Sequence, residues 1–208
     1  RWNNPRLGFV PPDVFIPVAE ASGLINDIGR FVMEQALKDG YAVSETCGLT
    51  YKLRVSVNLS VSHLFNDDFS THLENLLQKY KGQAITFMLE VTESLFIDDL
   101  IRAKDILEQA KSLGVYISLD DFGTGYSSLS VLSKLPINEL KIDRSFVNDI
   151  LIDENDWLLA KSIIYLCKSL SIPVVAEGVE NKAQADRLAA HGCDVFQGYY
   201  FAKPMSKA

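Results

Sequence analysis

The sequence predicts an α/β protein, a parallel β/α barrel of the TIM-type (β/α)8 class with about two N-terminal strands missing from the 208-residue chain. Three observations carry this expectation. Six short aliphatic or β-branched runs recur, each compact enough for a strand buried on both faces. Amphipathic stretches with apolar residues at three- and four-residue spacing lie between them and read as crossover helices. The strand starts are roughly 20 to 35 residues apart, the length of a βα unit, and the unbroken alternation favours a barrel over a doubly wound sheet. A complete eightfold barrel takes about 250 residues and eight strands, so the expectation places the first two strands ahead of Arg1.

In chain order the strands are Leu53 to Val57, Ile85 to Val91, Val115 to Leu119, Glu139 to Ile142, Ile172 to Ala176 and Asp194 to Phe196. The helical faces between them are marked by Leu73, Leu76 and Leu77, by Ile101, Ile106, Leu107 and Ala110, by Ile163, Ile164, Leu166, Cys167 and Leu170, and by Leu188 and Ala189. No repeat, low-complexity tract or Pro/Gly/Ser-rich linker divides the sequence, so residues 1–208 read as one domain.

Composition narrows the function classes. Hydrophobic residues at 48% and charged residues at 23% exclude a disordered or fibrous chain. Lys and Arg number 20 against 27 Asp and Glu, a net charge of −7 that argues against DNA, RNA or an anionic membrane as partner. Cys47, Cys167 and Cys193 are odd in number and lack CxxC spacing, which suggests neither disulfides nor zinc and fits a reducing, cytoplasmic setting. No apolar run approaches the roughly 18 to 20 residues of a membrane span.

In a β/α barrel the loops at the C-terminal ends of the strands converge on one open face. The six strands end in Asn58, Glu90, Asp120 with Asp121, Lys141 with Asp143, Glu177, and Gln197. Any one of these alone reads equally well as a helix cap or a complement to a helix dipole. The set does not, because caps require neither Glu90 and Glu177 in apolar strands, nor a lysine, nor adjacent aspartates. Gathering carboxylates on one face costs several kcal/mol each unless cations compensate, and a metal is the expected compensation. Asn58, Glu90, Asp120, Asp121 and Glu177 offer only oxygen, which suits magnesium, manganese or calcium. Asp120 and Asp121 would point to opposite faces of a regular strand, but at the rim both reach the mouth, where one carboxylate bridges two ions. Paired hard cations serve in-line displacement at phosphorus, so phosphoester hydrolysis is the expected reaction class, with Lys141 a further positive charge near water or phosphate. Asp121-Phe122-Gly123 and Gly123-Thr124-Gly125 are decoys: a kinase catalytic loop and Walker spacing are both lacking.

The ordered series is distinctive. It runs from Phe15-Ile16-Pro17-Val18-Ala19-Glu20 with Gly23-Leu24-Ile25, through Asn58-Leu59-Ser60 and Glu90-Val91-Thr92-Glu93-Ser94, to Asp120-Asp121-Phe122-Gly123-Thr124-Gly125-Tyr126-Ser127-Ser128-Leu129. It continues with Lys141-Ile142-Asp143-Arg144-Ser145-Phe146-Val147, Ala176-Glu177-Gly178-Val179-Glu180 and Gln197-Gly198-Tyr199. Over essentially its whole length the chain resembles the EAL-domain family of bacterial cyclic di-GMP phosphodiesterases. The resemblance implies hydrolysis of cyclic di-GMP to linear pGpG with two Mg2+ or Mn2+ ions, Ca2+ being inhibitory. By position, Asn58, Glu90 and Asp120 resemble ligands of a first ion, and Asp120, Asp121 and Glu177 those of a second. Glu177 and Lys141 resemble the groups that orient and activate water. Glu93 resembles the glutamate that steadies the loop at residues 121–128, near the family's dimer contact. Arg1, Asp143 and Gln197 fall where the family meets its ligand. The resemblance further implies a homodimer, upstream sensory or GGDEF modules in a larger parent, and a place in the cytoplasm or at the cytoplasmic face of the inner membrane through that parent. The glutamate of the signature Glu-Ala-Leu triplet would lie four residues before Arg1, which keeps a non-catalytic cyclic di-GMP-binding or protein-interaction module as the alternative. A general metal phosphoesterase is the third reading.

Overall fold

All six expected strands are present in the computed structural model, which describes residues 2–81, 84–95, 99–123 and 132–205. The chain divides into two compact units, Arg1–Ile85 and Thr86–Ala208.

The first unit opens with a hairpin that the periodicity does not reveal, β1 (Trp2–Asn4) and β2 (Gly8–Val10), paired antiparallel with Trp2 opposite Val10. Three-residue strands are too short to display alternation. What shapes the hairpin is its turn: the Asn4 side chain accepts hydrogen bonds from the backbone N–H of Arg6 (2.9 Å) and Leu7 (3.1 Å), and Gly8 takes a left-handed φ of 71°. Helix α1 (Pro12–Ser22) begins on a proline, whose missing N–H is no loss there, and stops at Gly23. Helix α2 (Ile25–Cys47) buries Met33, Leu37, Gly40 and Ser44, a stripe of three- and four-residue steps. Gly40 lets β3 (Leu53–Asn58) lie close, since a Cβ there would sit 2.5 Å from a methyl of Val55. After β3 the Ser60 hydroxyl caps α3 (Val61–Leu64) by accepting from the His63 N–H at 3.2 Å. Helix α4 (Phe69–Lys79) follows, with Phe69, Leu73 and Leu76 buried.

The second unit takes in β4 (Ile85–Thr92), α5 (Leu100–Ser112), β5 (Tyr116–Phe122), β6 (Glu139–Ile142), α6 (Ser145–Asn148), α7 (Glu154–Ser169), β7 (Val174–Ala176), α8 (Lys182–His191) and β8 (Val195–Phe196). Strands β4 to β8 pair parallel, each with the next in chain order. Leu89, Val91, Ile117, Leu119, Leu140, Ile142, Val174 and Ala176 are buried along the sheet. Ala103, Leu107, Ala110, Ala160, Ile164, Cys167 and Leu188 are the buried faces of the helices. Two boundaries shift from expectation. β7 starts at Val174 because Ser171 turns through a positive φ and Pro173 has no N–H for the ladder. β5 runs on to Phe122, three residues past Leu119, with an irregularity in its pairing to β6 between those two residues. All three cysteines are free. No helix among the described residues is long and apolar enough to cross a membrane.

Candidate active site

Four neighbouring strands of the second unit each deliver one charged group to the same place. Side chains alternate along a strand, so Ser118 and Asp120 share one face of β5, as Glu139 and Lys141 share one face of β6. The register aligns Glu90 with Ser118, Thr92 with Asp120 and Ser118 with Glu139. Glu177 follows β7 directly and continues its ladder by donating its N–H to the Ile142 carbonyl at 3.1 Å. The outcome is a lysine held by three carboxylates: Lys141 Nζ lies 3.2 Å from Glu90 Oε1, 3.1 Å from Asp120 Oδ1 and 2.6 Å from Glu177 Oε1.

Lys141 is only 5% exposed. Burial by itself would drive the proton off, but the hydrogen bond that Lys141 donates to Glu177 and the charges of Glu90 and Asp120 outweigh it, and the ammonium is held well above the ordinary lysine range. Glu177 is pulled both ways. Its burial, together with Asp120 and Glu90, raises its carboxyl above the usual range despite Lys141.

Asp121 joins the cluster by a backbone device. A regular strand would send it away from Asp120, yet its φ is +53° and it lies in the irregular stretch of β5. A non-glycine residue in the left-handed region is uncommon and marks a constrained position. The turn brings one oxygen each of Asp120, Asp121 and Glu177 within 4.8 Å of one another. The Asp121 N–H donates to Asp120 Oδ1 at 3.1 Å. Partial burial and the charges of Asp120 and Asp143 raise the Asp121 carboxyl above its usual value.

Around this centre, Glu93 is buried just past β4, and its Oε1 accepts from the Gly123 N–H at 2.9 Å. Asp143 Oδ1 accepts both the backbone N–H (3.0 Å) and the hydroxyl (2.5 Å) of Ser145; burial opposes its ionisation, but these bonds and Arg144 hold it below the usual range. Gln197 is exposed beyond β8, with its N–H on the Ala176 carbonyl (2.9 Å) and its carbonyl accepting from Val179 (3.0 Å). Asn58 ends β3 in the first unit and is exposed. Arg1 lies outside the described residues, as does most of the loop beyond Gly123. The structure thus brings together Glu90, Asp120, Asp121, Lys141 and Glu177, with Glu93 and Asp143 beside them along the same strand ends. The sequence reading gave no role to Gln184, a buried amide whose signal is the Asn181-x-x-Gln184 capping box.

The donor set fits a hard divalent cation. Glu90, Asp120, Asp121 and Glu177 face a single buried ammonium, so an excess of negative charge remains, and every anionic donor is an oxygen.

A sequence profile of the EAL domain matches residues 1–204. The chain belongs to the EAL domain family. This EAL domain is 38% identical over 205 residues to the bifunctional diguanylate cyclase/cyclic di-GMP phosphodiesterase MucR of Pseudomonas aeruginosa, covering 99% of the chain and 30% of that protein. It is also 38% identical over 205 residues to the cyclic di-GMP phosphodiesterase PdeR of Escherichia coli, covering 99% of the chain and 31% of that protein. The chain therefore spans less than a third of the length of both curated relatives. Among solved structures, the MucR phosphodiesterase in complex with c-di-GMP matches at a TM-score of 0.88 with 38% identity, covering 99% of this chain and 82% of that one. EAL domains have a TIM-barrel fold, so the β/α-barrel class expected from the sequence is the class of this domain.

Proposed function

We propose that residues 1–208 form a cyclic di-GMP phosphodiesterase domain that opens the cyclic dinucleotide to linear pGpG. The observation that carries this reading is Lys141 held among Glu90, Asp120 and Glu177, with Asp121 turned toward them, in a chain of the EAL family. The 38% identity to proteins named as phosphodiesterases, and to a phosphodiesterase solved with c-di-GMP, supports the substrate.

Asn58, Glu90 and Asp120 would hold one Mg2+ or Mn2+ ion, and Asp120, Asp121 and Glu177 a second, with Ca2+ binding but not supporting turnover. Such ions, when bound, neutralise phosphoryl oxygens and acidify a water. The chain's own groups do the positioning. Glu177 accepts a proton from the attacking water at its carboxylate, and Lys141 Nζ fixes that carboxylate by the 2.6 Å bond. Attack forms a bond from the water oxygen to phosphorus and breaks the bridging P–O3′ bond; the leaving 3′ oxygen takes a proton from solvent, and the proton on Glu177 returns to solvent. Glu93 steadies the segment that starts at Gly123 through its 2.9 Å bond, and Arg1, Asp143 and Gln197 contact the nucleotide. The domain acts as a homodimer within a larger protein carrying sensory or GGDEF modules, in the cytoplasm or at the cytoplasmic face of the inner membrane.

The test is turnover of cyclic di-GMP in Mg2+, followed by chromatographic detection of pGpG, with Glu177→Gln alongside. The expected result is product from the parent, a kcat lower by about 10²- to 10⁴-fold in the variant, and nucleotide affinity largely retained. Binding without product by the parent overturns the enzymatic reading in favour of a binding module, and comparable rates on simple phosphodiesters overturn the substrate assignment.

A further inference from the structure

Helix α8 carries a residue whose hydrogen bonds exceed what its position needs. Gln184 is the third residue of that helix, where a glutamine or glutamate completes a capping box with the residue before the helix. The box is formed: Asn181 Oδ1 accepts from the Gln184 N–H at 3.0 Å, and Gln184 Oε1 accepts from the Asn181 N–H at 3.2 Å. A glutamate would serve this purpose as well, and its charge would suit the helix N-terminus. Capping residues also usually face water, whereas Gln184 is 3% exposed.

The rest of the amide accounts for the difference. Oε1 also accepts from the Glu180 N–H at 2.8 Å, and Nε2 donates to the carbonyls of Val147 (3.2 Å) and Asn148 (2.9 Å). Two acceptor and two donor positions are thus all used, which is the full capacity of the side chain. The acceptor half holds the loop that leaves Glu177, and the donor half holds the end of α6, which begins four residues after Lys141. The same two segments touch directly. Gly178 has a φ of +71°, and a Cβ there would meet Arg144 Cβ at 2.6 Å and Asn148 Oδ1 at 3.3 Å. Arg187, one turn further along α8, adds a bond from its guanidinium to the Ile150 carbonyl at 2.6 Å and lies 4.2 Å over the Trp157 ring.

We infer that Gln184 is a positioning residue for hydrolysis: its amide locks the Glu177 loop to the segment after Lys141 and so sets the geometry of the Lys141–Glu177 pair. The inference rests on the phosphodiesterase reading and deepens it. Glutamine is required over glutamate because only the amide donates to the two carbonyls.

Gln184→Glu keeps the capping box and removes the donors, and Gln184→Met keeps the length and removes both halves. Asn181→Ala weakens the helix start without touching the α6 carbonyls and is the control for a merely structural effect. Rates are measured well below each variant's unfolding temperature. The expected result is a 10- to 100-fold lower kcat for both Gln184 variants with KM changed less than threefold, the range typical of groups that orient site residues. Asn181→Ala stays within about threefold of the parent, since a lost cap acts on helix stability rather than on the site. Hydrogen exchange supplies a readout apart from activity, with residues 143–150 and 177–181 exchanging faster in Gln184→Glu while α7 is unchanged. A Gln184→Glu variant of parental kcat, or an equal loss in Asn181→Ala, overturns the proposal. If neither Gln184 variant folds, the residue is one of folding and the proposal falls. An inactive parent, by contrast, overturns the phosphodiesterase reading on which it rests.

Discussion

Lys141 and His63 are buried to nearly the same degree, 5% and 2% exposed, yet one keeps its proton and charge and the other is neutral. Lys141 sits among three carboxylates within 3.2 Å and stays protonated. His63, in the first unit, packs edge-on against Phe69 with ring centroids 5.4 Å apart, and a Cβ on Gly29 would collide with its imidazole. Its Nε2 is buried with no hydrogen-bond partner among the described residues, and burial, helped by the nearby His72 and Arg30, pushes its pKa down to about 4. Burial disfavours charge in both places. What differs is the neighbouring charge: the strand ends set three carboxylates around Lys141, whereas His63 has His72 and Arg30 beside it.

The largest effect comes from removing that compensation. Lys141→Met leaves Glu90, Asp120 and Glu177 facing one another, and breaking a buried ion pair from one side costs about 3–5 kcal/mol. Denaturant unfolding in chelator checks this, and Mg2+ should restore part of the loss. Turnover should fall by about 10²- to 10⁴-fold. A variant as stable as the parent would mean that the carboxylates shed their charge by taking up protons.

The histidine predicts an effect of opposite cause, read by pH. The unfolded chain binds a proton at His63 near the ordinary pKa of 6.5 and the folded chain only near 4. The stabilisation from keeping it neutral is therefore complete above about pH 6.5 and is lost as pH falls toward 4, to a total of about 3 kcal/mol. His63→Phe should flatten the stability curve across that window, and an unchanged slope would remove His63 from the account.

The smallest effect belongs to a pair that looks strong by distance alone. Lys79 Nζ lies 2.6 Å from Glu34 Oε1, the same length as the Lys141–Glu177 bond, but both side chains are more than half exposed. Exposed pairs are screened and contribute little. Lys79→Ala should leave the unfolding temperature within error of the parent, and a clear drop would show that distance, not desolvation, sets the worth of these bonds.

Much of this was legible in the residues. Strands β4 to β7 stand out because both faces are largely buried and their aliphatic runs need no alternation, whereas β3, expected to be buried on both faces, exposes Arg54, Ser56 and Asn58 on one of them. Their polar ends stand out because such runs carry few other charges, Arg54 and Glu139 being the exceptions within β3 and β6. The hairpin at Trp2–Val10 does not, since three residues a side give no period. Nor does the start of β7, which a proline rather than hydrophobicity sets. At the site, the oxygen-only donor set and the meeting of Asp120 and Asp121 at the rim were readable, but the means was not, because it is a left-handed φ at Asp121 within an irregular strand pairing.

By itself, then, the sequence determined the alternation of strands and helices, the polar or charged residue at each strand end and the hardness of any metal those residues would bind. These follow from local period and side-chain chemistry. The tertiary structure alone decided which carboxylates reach Lys141, how the irregular pairing of β5 with β6 turns Asp121 toward Asp120, and that Gln184 ties two loops together. Each of these depends on register between segments remote in the chain, and no local pattern encodes the distance from Gln184 to the carbonyl of Asn148.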